Sequence, residues 1–290
     1  MVHNRTAARR WWLGLVMLMA IGQIVSLPGC NVLRRGRKVQ AEAPPPFQSP
    51  ITQQVGGPGM TADQIRVVLG ERRTDTRAIR GQMTISVGEA RSSTRQQFDA
   101  NVYSALPNFL RVRGSAEAGT IFDFLLDRGR VQLMMVPDKK VYIGTLAQLR
   151  TNTTLMGGLQ PDDLMNSFFV EQNLYRAMRQ GAQTPLQETP DHYIVSVSYP
   201  GGTTENYHLR KIDLLVDQVD RSQGNANLGS VRYYGYQFYA GNALLPSRYD
   251  ATLPNGAAAS VSVTDMQPNA PKTPEIGKLV IPDGFERLSL

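Results

Sequence analysis

The chain has 290 residues with 31 Lys and Arg against 24 Asp and Glu, and its single cysteine excludes a disulfide framework and any multi-cysteine metal site. The +7 charge sits at the N-terminal end: Arg5, Arg9 and Arg10 carry three of it, Arg34, Arg35, Arg37 and Lys38 set against Glu42 carry three more, and residues 51–290 keep +1. A nearly neutral body has no basic face for neutralising phosphates, which argues against nucleic acid as a partner.

Arg5, Arg9 and Arg10 precede Trp11 to Leu27, a 17-residue apolar stretch interrupted by Gly22 and Gln23, and Leu27-Pro28-Gly29-Cys30 follows. The alternatives are an uncleaved membrane anchor and a cleaved signal, and a stable span wants about 20 apolar residues. Basic residues stay on the cytoplasmic side, the apolar segment enters the bilayer, and small Gly29 gives a peptidase access to the next bond. The arrangement resembles a bacterial lipoprotein signal ending in a lipobox. The resemblance implies that residues 1–29 are a signal peptide and that Cys30 is the lipid attachment site. It would carry diacylglycerol on sulfur and a further acyl chain, such as palmitate, on the new amine. Two or more chains anchor a protein stably where one does not. Asn31 stands where an Asp would mean inner-membrane retention in the enterobacterial rule, so the expected location is the periplasmic face of the outer membrane. The cations at 34–38 either lie against anionic headgroups or form a solvated run.

Residues 30–60 read as a flexible tether: Pro44-Pro45-Pro46, Pro50 and Gly56-Gly57-Pro58 leave little to bury and nothing to offset the entropy of ordering. Residues 61–290 are enough for one large domain. It opens on Thr61-Ala62-Asp63-Gln64, a capping-box pattern, ahead of Ile65, Val68 and Leu69 at helical spacing. Period-two strands follow. They are marked by Ile79, Met83, Ile85 and Val87; by Phe98, Ala100 and Val102; and by Leu110 and Val112. Thr120 to Leu126 and Val131 to Val136 are apolar on both faces and are joined by the turn signal Asp127-Arg128-Gly129-Arg130; Lys140 to Ile143 closes the group.

Residues 144–190 break the pattern with an apolar loop at Leu155 to Leu159, a helix starting at Pro161 and another at Asn173 to Arg179. Strands resume at His192 to Tyr199, Glu205 to Val216, Ser230 to Tyr239, Pro246 to Leu253 and, after an Asn255-Gly256 hairpin, Ala257 to Met266. The expected class is α+β, mainly antiparallel β. A single curved sheet of about eleven strands forms a half-barrel, with a few short helices as a lid over an apolar cavity.

Leu106-Pro107-Asn108-Phe109-Leu110-Arg111-Val112, Phe122 to Asp127, Val131 to Pro137 with Tyr142 and Gly144, Leu159 to Phe169 and Leu245-Pro246-Ser247-Arg248-Tyr249 resemble stretches of the LolA/LolB lipoprotein-carrier superfamily. The resemblance implies an antiparallel half-barrel with a helical lid over a hydrophobic cavity, and an arginine that holds the lid closed. Spacing does not choose among Arg95, Arg111 and Arg113; each reads as an exposed strand arginine, and Arg111 alternates with Leu110 and Val112 and so points away from their face. The loop Gly114 to Gly119 has no large apolar side chain, unlike the membrane-inserting loop of LolB.

The implied function is binding of acyl chains or lipidated proteins, as an acceptor or carrier in outer-membrane lipoprotein localisation. The candidate ligand-binding residues are Met83, Ile85, Phe98, Val102, Leu110, Val112, Phe122, Phe124, Leu133 and Met135. The lid candidates are Leu155, Met156, Leu159, Leu164, Phe168 and Phe169. Expected partners are the membrane through acylated Cys30, lipid acyl chains or lipoproteins as ligand, and a periplasmic protein. The alternative is a tethered protein-interaction or envelope-stress sensor module whose cavity is filled. No enzymatic motif is present, and no cofactor, metal site or catalytic residue is expected. Adjacent Asp162 and Asp163 suit the first turn of a helix, and Tyr233, Tyr234, Tyr236 and Tyr239 suit cross-strand packing.

Overall fold

The computed structural model describes residues 38–40, 49–51, 54–72, 75–90, 94–117, 119–151, 161–180 and 184–290. Cys30, Leu155, Met156 and Leu159 lie outside the described residues, and Leu164 is described in its backbone only. No helix among the described residues is long and apolar enough to cross a membrane.

After the short strand β1 (Lys38–Gln40) comes α1 (Ala62–Arg72). Its start is the expected reciprocal cap: Thr61 N–H donates to Gln64 Oε1 at 2.8 Å and Gln64 N–H to Thr61 Oγ1 at 3.3 Å. Six strands then run as a meander: β2 (Ala78–Glu89), β3 (Thr94–Ala105), β4 (Phe109–Ala116), β5 (Gly119–Asp127), β6 (Arg130–Met135) and β7 (Lys140–Thr145). Helices α2 (Leu146–Thr151), α3 (Pro161–Phe168) and α4 (Val170–Arg179) interrupt it. The second half contains β8 (Leu186–Glu188), β9 (His192–Ser198), β10 (Thr203–Arg210), β11 (Val216–Gln223) and β12 (Ala226–Tyr234). It continues with the ribbon β13 (Gln237–Tyr239) and β14 (Ala243–Leu245), then β15 (Arg248–Thr252), β16 (Ala257–Pro268) and β17 (Glu286–Ser289).

These make one large curved sheet, in the order β17-β7-β6-β5-β4-β3-β2-β16-β15-β12-β11-β10-β9-β8, with β1 added beside β3. The two meanders meet where β2 pairs with β16, from Glu89 opposite Ala257 to Ile79 opposite Pro268. The expected class holds, and the strand count is corrected from about eleven to fifteen in this sheet.

The main difference lies at 205–223: the strand expected from Glu205 to Val216 ends at Arg210, and a further strand, β11, which was not expected, starts at Val216. The chain reverses at 211–215 without Gly or Pro: Leu214 takes φ +54° and its N–H donates to the Arg210 carbonyl at 2.7 Å. Buried Asp213 accepts from Leu215 N–H at 3.2 Å and from Arg210 Nη2 at 3.0 Å. Full burial of Leu214 and Leu215 offsets the cost of a left-handed leucine. The Arg128-Gly129 turn is as expected, with both residues at positive φ and Asp127 opposite Arg130, which matches the twist of the flanking strands.

The alternation of side chains divides each strand between two environments. The inner face carries Ile79, Met83, Val102, Leu110, Val112, Phe124, Leu133 and, from the second half, Tyr193, Val195, Tyr207, Leu209 and Tyr249. All join one core with Ile65 and Leu69 of α1 and with α3 and α4. The outer face of β2–β7 carries Ala78, Tyr103, Phe109, Leu125, Met134 and Val141. Residues 269–285 cross it as a strap, burying Leu279 and packing Ile276, Ile281 and Phe285 against it. The strap delivers β17 parallel to β7, an edge strand that hairpin signals do not reveal.

Residues 54–60, at the end of the stretch whose composition suggests a tether, lie against the second half of the sheet. Val55 N–H donates to the Ile212 carbonyl at 3.2 Å, Met60 N–H donates to the Tyr193 hydroxyl at 2.9 Å, and that hydroxyl donates to the Gly57 carbonyl.

Candidate functional site

The inner face of the first half of the sheet gathers most of the expected ligand-binding residues. Met83, Val102, Leu110, Val112, Phe124, Leu133 and Met135 are buried in the main core, and Ile85 and Phe122 are half-buried at its margin. Phe98 departs from the set: it belongs to a smaller cluster with Val87 and Ile121 and meets Phe122 edge to face at 5.7 Å.

The helical cover is α3 and α4, which bury Met165, Phe168, Phe169, Val170, Leu174, Ala177 and Met178 on one side. Of the expected lid residues, Phe168 and Phe169 are buried to 1% exposure, and Phe168 stands edge to face with Tyr249 of β15 at 5.7 Å. That part of the cover therefore packs on the second half of the sheet, whereas the ligand-binding candidates all lie in the first.

Among the described residues, none of the three strand arginines ties the helices down. Arg111 points to the outer face, as its alternation with Leu110 and Val112 requires. Contrary to expectation it is buried, donating from Nε and Nη2 to Asp123 at 3.1 and 2.8 Å. Its Nη1 donates to the strap carbonyls of Glu275, Ile276 and Lys278. Arg113 shares Asp123 at 2.9 Å, and Arg95 Nη1 donates to Ser260 at 2.6 Å. The arginine that does hold the helices is Arg72, which closes α1. Its Nη2 is 2.8 Å from Glu171 Oε1 at the start of α4, and it donates to the carbonyls of Asp213 and Leu214 at 2.6 Å each. One guanidinium thus joins α1, α4 and the β10–β11 turn. Burial, the largest influence, pushes the Glu171 carboxyl above its ordinary range, while Arg72 pulls it back.

Open space lies on either side of the last turn of α4. A cleft of about 530 Å³ is lined by Asp75, Arg77, Leu106, Tyr175, Arg176 and Arg179, among others. A second, about 350 Å³, is lined by Asn166, Asn173, Arg176, Tyr199, Glu205 and Arg221, among others. Asn166, Glu205 and Arg221 also border a smaller, more apolar cavity of about 70 Å³ that reaches Val219, Val231 and Leu253. Buried Glu205 accepts from the hydroxyls of Tyr199 and Tyr207 at 2.9 and 2.6 Å and stands 3.7 Å from Arg221 Nε. Burial first, and then the Glu205 charge, raise both phenols above their ordinary range and keep them as donors.

These residues were absent from the sequence-derived set. The available signal was Glu205 itself, a carboxylate in phase with inward-facing Tyr207 and Leu209. The tyrosines Tyr233 and Tyr249 pack edge to face at 5.7 Å, and Tyr236 donates to the Val216 carbonyl at 2.7 Å, which is the packing role expected of the tyrosine cluster. His192 pairs with Asp217 and His208 with Asp220, each at 2.8 Å; no cluster among the described residues has the ligands to hold a metal ion.

No protein-family model matches the chain, and no curated protein matches it in sequence. Solved structures do match in fold. A domain from Vibrio parahaemolyticus with a proposed role in outer membrane lipoprotein sorting is 12% identical with a TM-score of 0.53, over 73% of this chain and 94% of that one. A LolA superfamily protein from Nitrosomonas europaea is 12% identical with a TM-score of 0.50, over 74% and 96%. A DUF1329 family protein from Desulfovibrio piger is 10% identical with a TM-score of 0.53, over 74% and 94%. At these identities the likeness is one of fold, and the fold is LolA-like.

Proposed function

We propose that the protein is an envelope lipoprotein that takes acyl chains, free or attached to a lipidated protein, against the inner face of its sheet. On this reading residues 1–29 are removed and acylated Cys30 anchors the chain to the outer membrane, a short way ahead of the β1 strand that joins the sheet. The observation that carries the proposal is that the inner face, apolar across both halves of the sheet, is covered by short helices and the small β13–β14 ribbon and not by a second large sheet. Met83, Ile85, Val102, Leu110, Val112, Phe122, Phe124, Leu133 and Met135 form the wall of the site, Phe98 its margin, and Phe168 and Phe169 the cover over the adjoining second half.

No bond is made or broken. Each methylene leaving water for an apolar wall contributes about 0.8 kcal/mol, and displacing the helices costs the core contacts they make with the sheet. The Arg72–Glu171 pair holds the N-terminal end of α4, so on this reading the end bordered by the two clefts is the one that lifts, giving up the buried contacts of Ala177 and Met178. Native mass spectrometry of the chain from residue 31 onward tests the proposal. Co-purified lipid, and saturable binding of a fluorescent fatty acid, are expected; absence of both would overturn it.

The close burial of seven wall residues also supports the second reading, a tethered interaction module with a filled interior. Capture of an envelope protein by a body that binds no lipid would favour that module.

A further inference from the structure

Gln96 of β3 has a strand on each side: Val87 of β2 stands opposite it in one ladder and Lys38 of β1 in the other. β1 therefore lies on the side of β3 that β4 occupies, beyond the point where β4 leaves it at Ser115 opposite Asp99. At this end of the sheet β4 turns into β5 at residues 116–119. Here too Ala90 N–H donates to the Gly256 carbonyl at 2.8 Å, joining the end of β2 to the β15–β16 turn. The opposite end of β3 leads through Leu106 and Pro107 into the larger cleft beside the last turn of α4.

We infer that the end of the body formed by the β4–β5 and β15–β16 turns faces the bilayer that holds Cys30, and that the larger α4 cleft opens away from it. The inference rests on the acylated-Cys30 reading above and adds to it the posture of the body on the membrane. Lys38 is the eighth residue after Cys30, so even a fully extended link spans at most about 29 Å. The stretch of β3 from Gln96 to Ala105 is itself roughly 30 Å long. Setting the α4 end of the sheet on the bilayer would lift Lys38 beyond that reach, whereas the β4–β5 end meets the surface without stretching the link. Among the described residues of the two turns, 116–117, 119 and 254–256, none carries a large apolar side chain. This end therefore rests on phospholipid headgroups and does not enter the hydrocarbon. The length of the link and not charge sets the posture, since exposed Glu89 and Glu117 also stand here.

Cys30 is the single cysteine, and on this reading its sulfur is blocked by lipid, so Glu117→Cys and Asn108→Cys each supply one free thiol for a nitroxide label. Both positions are exposed turn residues, one at each end of β4. The experiment places the untagged, full-length protein, purified from membranes, in vesicles of phosphatidylethanolamine and phosphatidylglycerol doped with a nickel-chelating lipid, and measures nitroxide relaxation by electron paramagnetic resonance. Nickel at the headgroups is expected to speed relaxation at least threefold more at position 117 than at position 108. Inserting about thirty Gly and Ser residues after Gly36 should at least halve that difference, because a long flexible link frees the body to turn. Equal relaxation at the two positions, faster relaxation at 108, or a difference untouched by the insertion would overturn the inference and leave the Cys30 reading standing. Labelling of Cys30 in the unaltered protein, or failure of that protein to float with the vesicles, would overturn the Cys30 reading and the posture with it.

Discussion

Arg72 Nη2 and Glu171 Oε1 are 2.8 Å apart across 99 residues of sequence, both largely out of water. Through this pair, and through the carbonyls of Asp213 and Leu214, the position of α4 depends on the end of α1.

Arg72→Met should therefore cost about 3–5 kcal/mol, because it leaves Glu171 buried and unpaired. Glu171 already lies above its ordinary range, so the folded chain keeps a proton that the unfolded chain has released. Stability is lost as pH rises from about 4.5 through the folded value. Without Arg72 the folded value rises further, and the defect should be larger at pH 7 than at pH 4.5; adding Glu171→Gln should flatten that difference. Urea unfolding at the two pH values measures it.

The strap depends on Asp123, which neutralises both Arg111 and Arg113. Asp123→Ala leaves Arg111 buried without a carboxylate, with an expected loss of about 3–5 kcal/mol. Amide hydrogen exchange should rise first in residues 275–285, before the strands of the inner core.

Gly56 lies so close to the Lys211 carbonyl oxygen that a Cβ would overlap it. Gly56→Ala should undock residues 54–60, at a cost of about 1–3 kcal/mol. The Val55 and Met60 amides should lose exchange protection while the sheet keeps its own. Gly57→Ala, with nothing near its Cβ direction, is the control.

Phe168→Ala removes a fully buried ring from between the helical cover and Tyr249. A loss of about 3–5 kcal/mol is expected in thermal or denaturant unfolding. A fluorescent fatty acid should reach the inner face faster if the cover is what gates it.

The alternation in β2 to β6 could be read directly, because each strand there pairs with its sequence neighbour through a short turn and one of its faces meets the core. Met83, Leu110, Val112 and Leu133 were placed inward on that basis. The β10–β11 reversal was not legible, since its turn is made by buried Asp213 and a left-handed Leu214 and not by the usual turn residues. The role of Arg72 depends on a partner 99 residues away, which no local spacing encodes. Glu205 is visible as a carboxylate in an inward phase, but its tyrosine partner Tyr199 lies on the neighbouring loop, and Arg221 lies on β11, where the sequence pattern marks no strand.

The pairing of β2 with β16, and the crossing of 269–285 behind β2–β7, also set an order of completion. A ribosome makes the early meander first and its missing neighbour and back covering last. Until β16 emerges that half presents an unpaired edge, and until residues 269–285 emerge an uncovered greasy back, the condition in which a nascent chain most needs a holding chaperone. A stop codon directly after β16 would leave that back bare for good, although every strand but the last had been synthesised.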